Sequence, residues 1–264
     1  MISYENLNLI IRNDLIRVMK DELIYHFSSF DIAINEIIAK QTLLFSNPKT
    51  FNDPFDCNQK LLQINLDNIN FQNEFKSVAY ANRKQRRKLL KNLDLKKEQN
   101  EIFELEKKKL KIACFSNNFN ETLMWSHYGD KHNGICIGFN FPYKYDNHFI
   151  LCPVKYIDKI EKLEGLCETS KVILYWLTTK SKRWEYENEI RAITKAKTNE
   201  DKELVKFDSK YIKEIIFGCC VETEKIKSAI KTLKINKIDV NKIKFKKMYI
   251  DEKTFLLNFK EIKI

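Results

Sequence analysis

Three short stretches of this sequence concentrate the side chains that can bind or react. In Trp184-Glu185-Tyr186-Glu187-Asn188-Glu189-Ile190-Arg191, the two-residue period of a strand places Glu187, Glu189 and Arg191 on one face. Two carboxylates that close resist ionising together in a dry site, so one has a raised pKa or is held by the arginine. A salt-bridged strand exposed to solvent is the structural alternative. Lys180, Lys182, Arg183 and Trp184 lie just before it, in reach of an anion or a flat ring. The run Met124-Trp125-Ser126-His127-Tyr128-Gly129, followed by His132-Asn133-Gly134, has the densest functional groups. Glycine there allows close backbone approach to a ligand, and Trp125 or Tyr128 offers a ring for stacking. The loop Phe51-Asn52-Asp53-Pro54-Phe55-Asp56 carries Asn52 and Asp53 as formers of an Asx-type turn, with Pro54 fixing the next step. A tight turn anchored by its two phenylalanines explains it as well as ligand contact does.

The elements that must position these groups follow from patterning. Residues 23–27 form a short apolar strand ending at Ser28-Ser29, which can cap a helix with Asp31 in its first turn and Ile34, Ile37 and Ile38 on its apolar face. A second strand, 42–45, stops at Asn47-Pro48. Residues 71–111 are highly charged, with broken helical spacing and no glycine or proline, the signature of a helical insertion or lid. Strands follow at 112–116, 134–139, 189–194 and 214–217, helices at 171–180 and 225–233, and a terminal hairpin over 242–264 around Asp251-Glu252. This irregular order predicts an α+β fold with mainly antiparallel, split sheets and flanking helices. No linker divides the 264 residues, so one domain, 1–264, is expected.

Composition narrows the function classes. Apolar residues are 44% and aromatics 12%, enough for a sizeable core, and no apolar run approaches a membrane span. Charged residues interrupt the first twenty positions, unlike a secretory signal, and the seven cysteines form no Cys-x-x-Cys pair. A cytoplasmic protein without a metal site or membrane partner is expected, its thiols reduced and, at 114 and 136, serving as small core residues. The net charge is +11, and from Lys225 onward twelve lysines face four acids. Such a field attracts polyanions, although solvated lysines account for it equally well.

Taken in order, Tyr25-His26-Phe27, Leu44-Phe45-Ser46-Asn47-Pro48 with the loop at 51–56, Cys114-Phe115-Ser116, residues 124–129 and residues 184–189 resemble the bacterial family known as domain of unknown function 2971. The resemblance runs from about Leu23 to Gly218. A strand bearing Tyr-His, a helix, a strand ending in serine and a later strand with glutamate are also similar, at fold level, to ADP-ribosyltransferases of the histidine type. That second resemblance implies NAD as co-substrate. It implies that His26 hydrogen-bonds the nicotinamide ribose, with Tyr25 beside it, and that Ser46 lines the pocket. Glu189 would stabilise the positive charge developing on the ribose, and Glu187 would orient or deprotonate the acceptor. Asn52, Asp53, Trp125, His127, Tyr128 and Arg191 complete the expected binding residues. The acceptor would be a macromolecule such as nucleic acid, and the setting that of a toxin or phage-defence effector. The competing expectation is a non-catalytic or nuclease-like nucleic-acid-binding module that uses the basic C-terminal region, with Glu187 and Glu189 structural or holding a divalent ion. The two differ over whether Glu189, His26 and Ser46 converge on one cleft.

Overall fold

The computed structural model describes residues 22–58, 63–65, 105, 107–142, 144–145, 148–160, 162–164, 169–196 and 200–263. Of the insertion expected at 71–111, residues 71–104 and 106 lie outside this set; residues 105 and 107–109 are helical.

β-Branched and aromatic runs form the strands where patterning placed them. In chain order these are β1 (Ile24–Ser28), β2 (Thr42–Ser46), β3 (Gln63–Asn65), β4 (Leu110–Ser116), β5 (Ile135–Phe139), β6 (Lys144–Tyr145), β7 (Phe149–Pro153) and β8 (Lys155–Ile157). They continue with β9 (Lys162–Glu164), β10 (Thr179–Ser181), β11 (Glu189–Lys195), β12 (Lys202–Lys206), β13 (Ile212–Phe217), β14 (Lys244–Ile250) and β15 (Leu257–Ile262). The helices are α1 (Phe30–Ile32), which runs on as a π-helix at Ala33–Ile38, then α2 (Thr122–His127), α3 (Thr169–Thr178) and α4 (Thr223–Ile235). Ser29 is the N-cap of α1, but its side chain makes no capping bond, contrary to expectation.

Among the described residues, eleven strands join in one sheet, in the order β15-β14-β13-β5-β1-β4-β11-β7-β6, with β2 linked to β4 and β12. Its ladders are antiparallel except β13 with β14, and the terminal hairpin β14–β15 forms as patterned. The α+β class and the mainly antiparallel pairing are therefore as read from sequence. The small pairs β10–β8 and β3–β9 are parallel.

The sheet forks at β4. One edge of β4 pairs with β11 along its whole length, from Leu110 opposite Lys195 to Ser116 opposite Glu189. The other edge meets β1 at Tyr25↔Ser116 and β2 at Ser46↔Ile112. Between those two contacts the backbone of Ala113–Phe115 has no strand partner on that side among the described residues. Asn47, buried at the end of β2, donates its side-chain amide to the Lys107 carbonyl at 2.8 Å and so ties β2 to the start of β4.

Alternating residues of β4 feed two cores. Ala113 and Phe115 join the largest apolar cluster, with Ile34, Ile37 and Ile38, residues of β5, and Ile226, Ala229 and Leu233 of α4. Leu110 and Ile112 face Ile173, Trp176 and Leu177 of α3. Burying such side chains contributes about 1.5–3 kcal/mol each. A third cluster packs Tyr25 and Phe27 against Met124 and Trp125 of α2. Among the described residues, no helix is long and apolar enough to cross a membrane.

Candidate active site

The fork opens into a cavity of about 330 Å³. Its lining includes Tyr25, His26 and Phe27 from β1, Leu44 and Ser46 from β2, and Ile112–Phe115 from β4. Phe51, Asn52 and Asp56 come from the loop after β2, Tyr128 from the end of α2, Lys180 from β10, Glu187 from the turn before β11 and Glu189 from its first position. Residues on three strands, His26, Ser46 and Glu189, thus share one cleft.

The acidic wall is built differently from the expected strand face. Glu189 and Arg191 lie two apart on β11, but Glu187 ends a 3-10 turn, Lys182–Glu187, capped by the Ser181 hydroxyl. Asn188 then adopts the left-handed conformation at φ 44° and swings the chain into the strand. Asparagine tolerates that region better than most residues.

Two cations hold the acids. Arg191, fully buried, donates from Nε to Glu189 Oε1 at 2.8 Å and from Nη2 to Asp56 Oδ2 at 2.6 Å; its Nη1 donates to the Leu177 carbonyl at 2.7 Å. Lys180 Nζ donates to Glu187 Oε2, and to Glu189 Oε2 at 3.0 Å, and lies 3.6 Å from Asp56 Oδ2. Tyr128 donates its hydroxyl to Glu187 Oε1 at 2.8 Å. With all five groups ionised, three carboxylates against two cations leave the cluster at a net charge of −1.

The two glutamates respond in opposite directions. Burial works to raise the Glu189 carboxyl, but Arg191 and Lys180 overcome it and hold the group at about 2, so it is ionised at neutral pH. Burial raises Glu187 above the ordinary carboxylate value, and Lys180 and the Tyr128 hydroxyl only partly offset it. Burial also works to lower Lys180, yet the surrounding carboxylates raise it, so it stays charged. The sequence expectation offered a raised carboxylate or one held by arginine, and the cluster contains both.

His26 faces the fork. Its Nδ1 lies 2.9 Å from the carbonyl of Cys114, on the unpaired edge of β4. A carbonyl only accepts, so Nδ1 carries the hydrogen. Burial lowers the imidazole pKa despite that carbonyl, which favours the neutral ring and leaves Nε2 as an acceptor. Tyr25 turns its hydroxyl to Glu214 Oε2 at 3.4 Å, and Glu214 is in turn bonded by Lys246 at 2.7 and 2.8 Å. Gly138, opposite Tyr25 on β5, makes room for that ring, since a Cβ there would sit 3.0 Å from it.

Several expected residues stand elsewhere. Trp125 is fully buried and its indole donates to the Phe119 carbonyl at 2.7 Å, so it is a core side chain and not a ring free to stack. His127 is exposed and does not line the cavity. Asp53 is spent on its turn, its Oδ1 accepting from the Phe55 amide at 2.9 Å. Arg191 acts from behind Glu189 and does not line the cavity. Conversely, Cys114 is exposed at the cavity wall and not a core thiol. Asp56 was not among the expected site residues, and Lys180 was expected only as a contact for an anion or a ring, not as a partner of the acids. Their signals were present, a second acid in the 51–56 loop and a lysine nine residues before Glu189, but nothing local said that both would be buried.

Residues 124–192 match the model of the family described as Protein of unknown function (DUF2971). The resemblance read from Leu23 to Gly218 is thus supported over this stretch. The matched segment carries Tyr128, Lys180, Glu187, Glu189 and Arg191, the acidic wall of the cavity, while His26, Ser46 and Asp56 lie before it. No curated protein matches the chain. No solved structure does either.

Proposed function

We propose that this protein is an ADP-ribosyltransferase-like enzyme that moves ADP-ribose from NAD to a macromolecular acceptor such as nucleic acid, in a toxin or phage-defence setting. The observation that carries the reading is the convergence of His26, Ser46 and Glu189 on one cavity. Its volume of about 330 Å³ is at the low end of small-molecule sites, about 300–1,000 Å³. It suits the nicotinamide riboside end of NAD, with the adenosine end beyond the mouth.

Each role follows from the state of a side chain. His26 accepts a ribose hydroxyl at Nε2, and Ser46 offers a hydroxyl from the opposite arm of the fork. Glu189, ionised and fixed by Arg191 and Lys180, stabilises the positive charge that grows at C1′ of the ribose as its bond to the nicotinamide nitrogen breaks. Glu187, with its raised carboxyl, takes the proton of the acceptor as the acceptor's nucleophile bonds to C1′. Nicotinamide leaves as a neutral molecule. Phe27, Phe51 and Phe115 line the same cavity and supply apolar surface for its ring.

The nuclease-like alternative draws less support. Lys180 already fills the space among the three carboxylates, and Lys246 of the basic C-terminal region is buried on Glu214. Labelled NAD incubated with the wild type and with nucleic-acid and protein fractions of a lysate tests the proposal. Label transfer or nicotinamide release that disappears in a folded Glu189→Gln variant is expected. The absence of both NAD binding and turnover with every fraction would sink it.

A further inference from the structure

Directly after β13, Cys219 and Cys220 stand side by side. Both are free thiols, Cys219 half-buried and Cys220 exposed, with sulfurs 3.9 Å apart. Hydrogen bonds from the loop after α2 hold their turn. Gly218 N–H donates to the Gly134 carbonyl at 3.0 Å, and Cys220 N–H to the His132 carbonyl at 3.1 Å. A Cβ at position 218 would lie 2.2 Å from the His132 oxygen, so only glycine allows this approach. The thiols are therefore presented on a braced backbone.

Such a pair is poorly placed to oxidise onto itself. A trans peptide sets neighbouring Cα atoms about 3.8 Å apart, short of the roughly 4.4–6.8 Å that disulfides use. An atom that bridges through longer bonds fits better. Sulfurs 3.9 Å apart lie within bridging range of one such atom, and a small rotation about the Cα–Cβ bonds closes them to the narrower angle of a pyramidal centre. Structural zinc asks for four ligands, and among the described residues no group of three His, Cys, Asp or Glu side chains is arranged to hold a metal. A monosubstituted trivalent arsenical needs only two sulfurs.

We propose that Cys219 and Cys220 form a vicinal-dithiol site for thiophilic trivalent arsenicals. Two As–S bonds replace the bonds from arsenic to an oxide oxygen, and that oxygen leaves as water with the two thiol protons. Arsenic stays trivalent, so no oxidant or reductant enters. Cys219 packs against the apolar cluster that contains Trp125 of α2.

Phenylarsine oxide added to the full chain, followed by intact mass measurement, tests the assignment. One adduct, a phenylarsenic unit gained and two hydrogens lost, should survive excess 2-mercaptoethanol and be stripped by dithiothreitol. Cys219→Ser and Cys220→Ser should each lose that survival, while Cys114→Ser keeps it. A wild-type adduct stripped by the monothiol, or one that survives it in Cys220→Ser, overturns the proposal.

Discussion

Glu189→Gln keeps the shape of the acidic wall and removes its most strongly held charge. The carboxyl sits at about 2 in the folded protein against an ordinary 4.5. That gap corresponds to a few kcal/mol, on the order of 3. Because the folded value is depressed, this stabilisation is fully present above pH 4.5 and is lost as pH falls towards 2. At pH 3.5 the unfolded carboxyl is mostly protonated and the folded one almost not at all, so on the order of 1 kcal/mol has already gone. The variant lacks this titration, whereas Glu187 and Asp56 remain in both proteins. Urea unfolding followed by tryptophan fluorescence at pH 7 and pH 3.5 should therefore show the wild-type advantage shrinking by on the order of 1 kcal/mol. An advantage that is equal at the two pH values, or larger in acid, would refute the ion-pair account of Glu189.

Two other changes probe neighbouring contacts. Tyr128→Phe removes the hydroxyl bonded to Glu187 at 2.8 Å; stability should fall by about 1–3 kcal/mol and the Glu187 carboxyl should move further up. The acidic limb of the pH profile for nicotinamide release should then shift to higher pH, and an unmoved limb would show that Glu187 is not the titrating group. Lys246→Met strands the buried Glu214 and should cost about 3–5 kcal/mol in denaturant unfolding, most of it recovered when Glu214→Gln is added. Failure of that recovery would mean that the ammonium's contact with the faces of Phe119 and Phe259, and not its pairing with Glu214, carries the stability.

Much of the scaffold was legible because apolar patterning reports burial. β1, β2, β11 and the terminal hairpin fall within a residue or two of their expected bounds, and the irregular order of elements is that of an α+β sheet. The cluster of acids was legible only in outline. Strand periodicity brought Glu187, Glu189 and Arg191 together, yet Glu187 arrives from a 3-10 turn through a left-handed Asn188, which no spacing rule announces. Asp56 meets Arg191 across 135 positions of chain, a pairing set by the whole fold. Trp125 misled for the opposite reason. Its run is rich in reactive side chains, but an indole that size is worth more in the core than in a ligand site.

The fork has a consequence for how the molecule breathes. In a strand a residue's N–H and C=O face the same edge, so the Cys114 amide points with its carbonyl into the cavity while those of Ala113 and Phe115 are closed by β11. Along one strand, hydrogen exchange is therefore divided between two regimes. The amides against β11 open only with the global unfolding that separates the sheet, whereas Cys114 exchanges through the solvent of the cleft. A molecule seated between the arms would cut off that solvent without altering the rest of the sheet, which makes this single amide a reporter of occupancy written into the backbone.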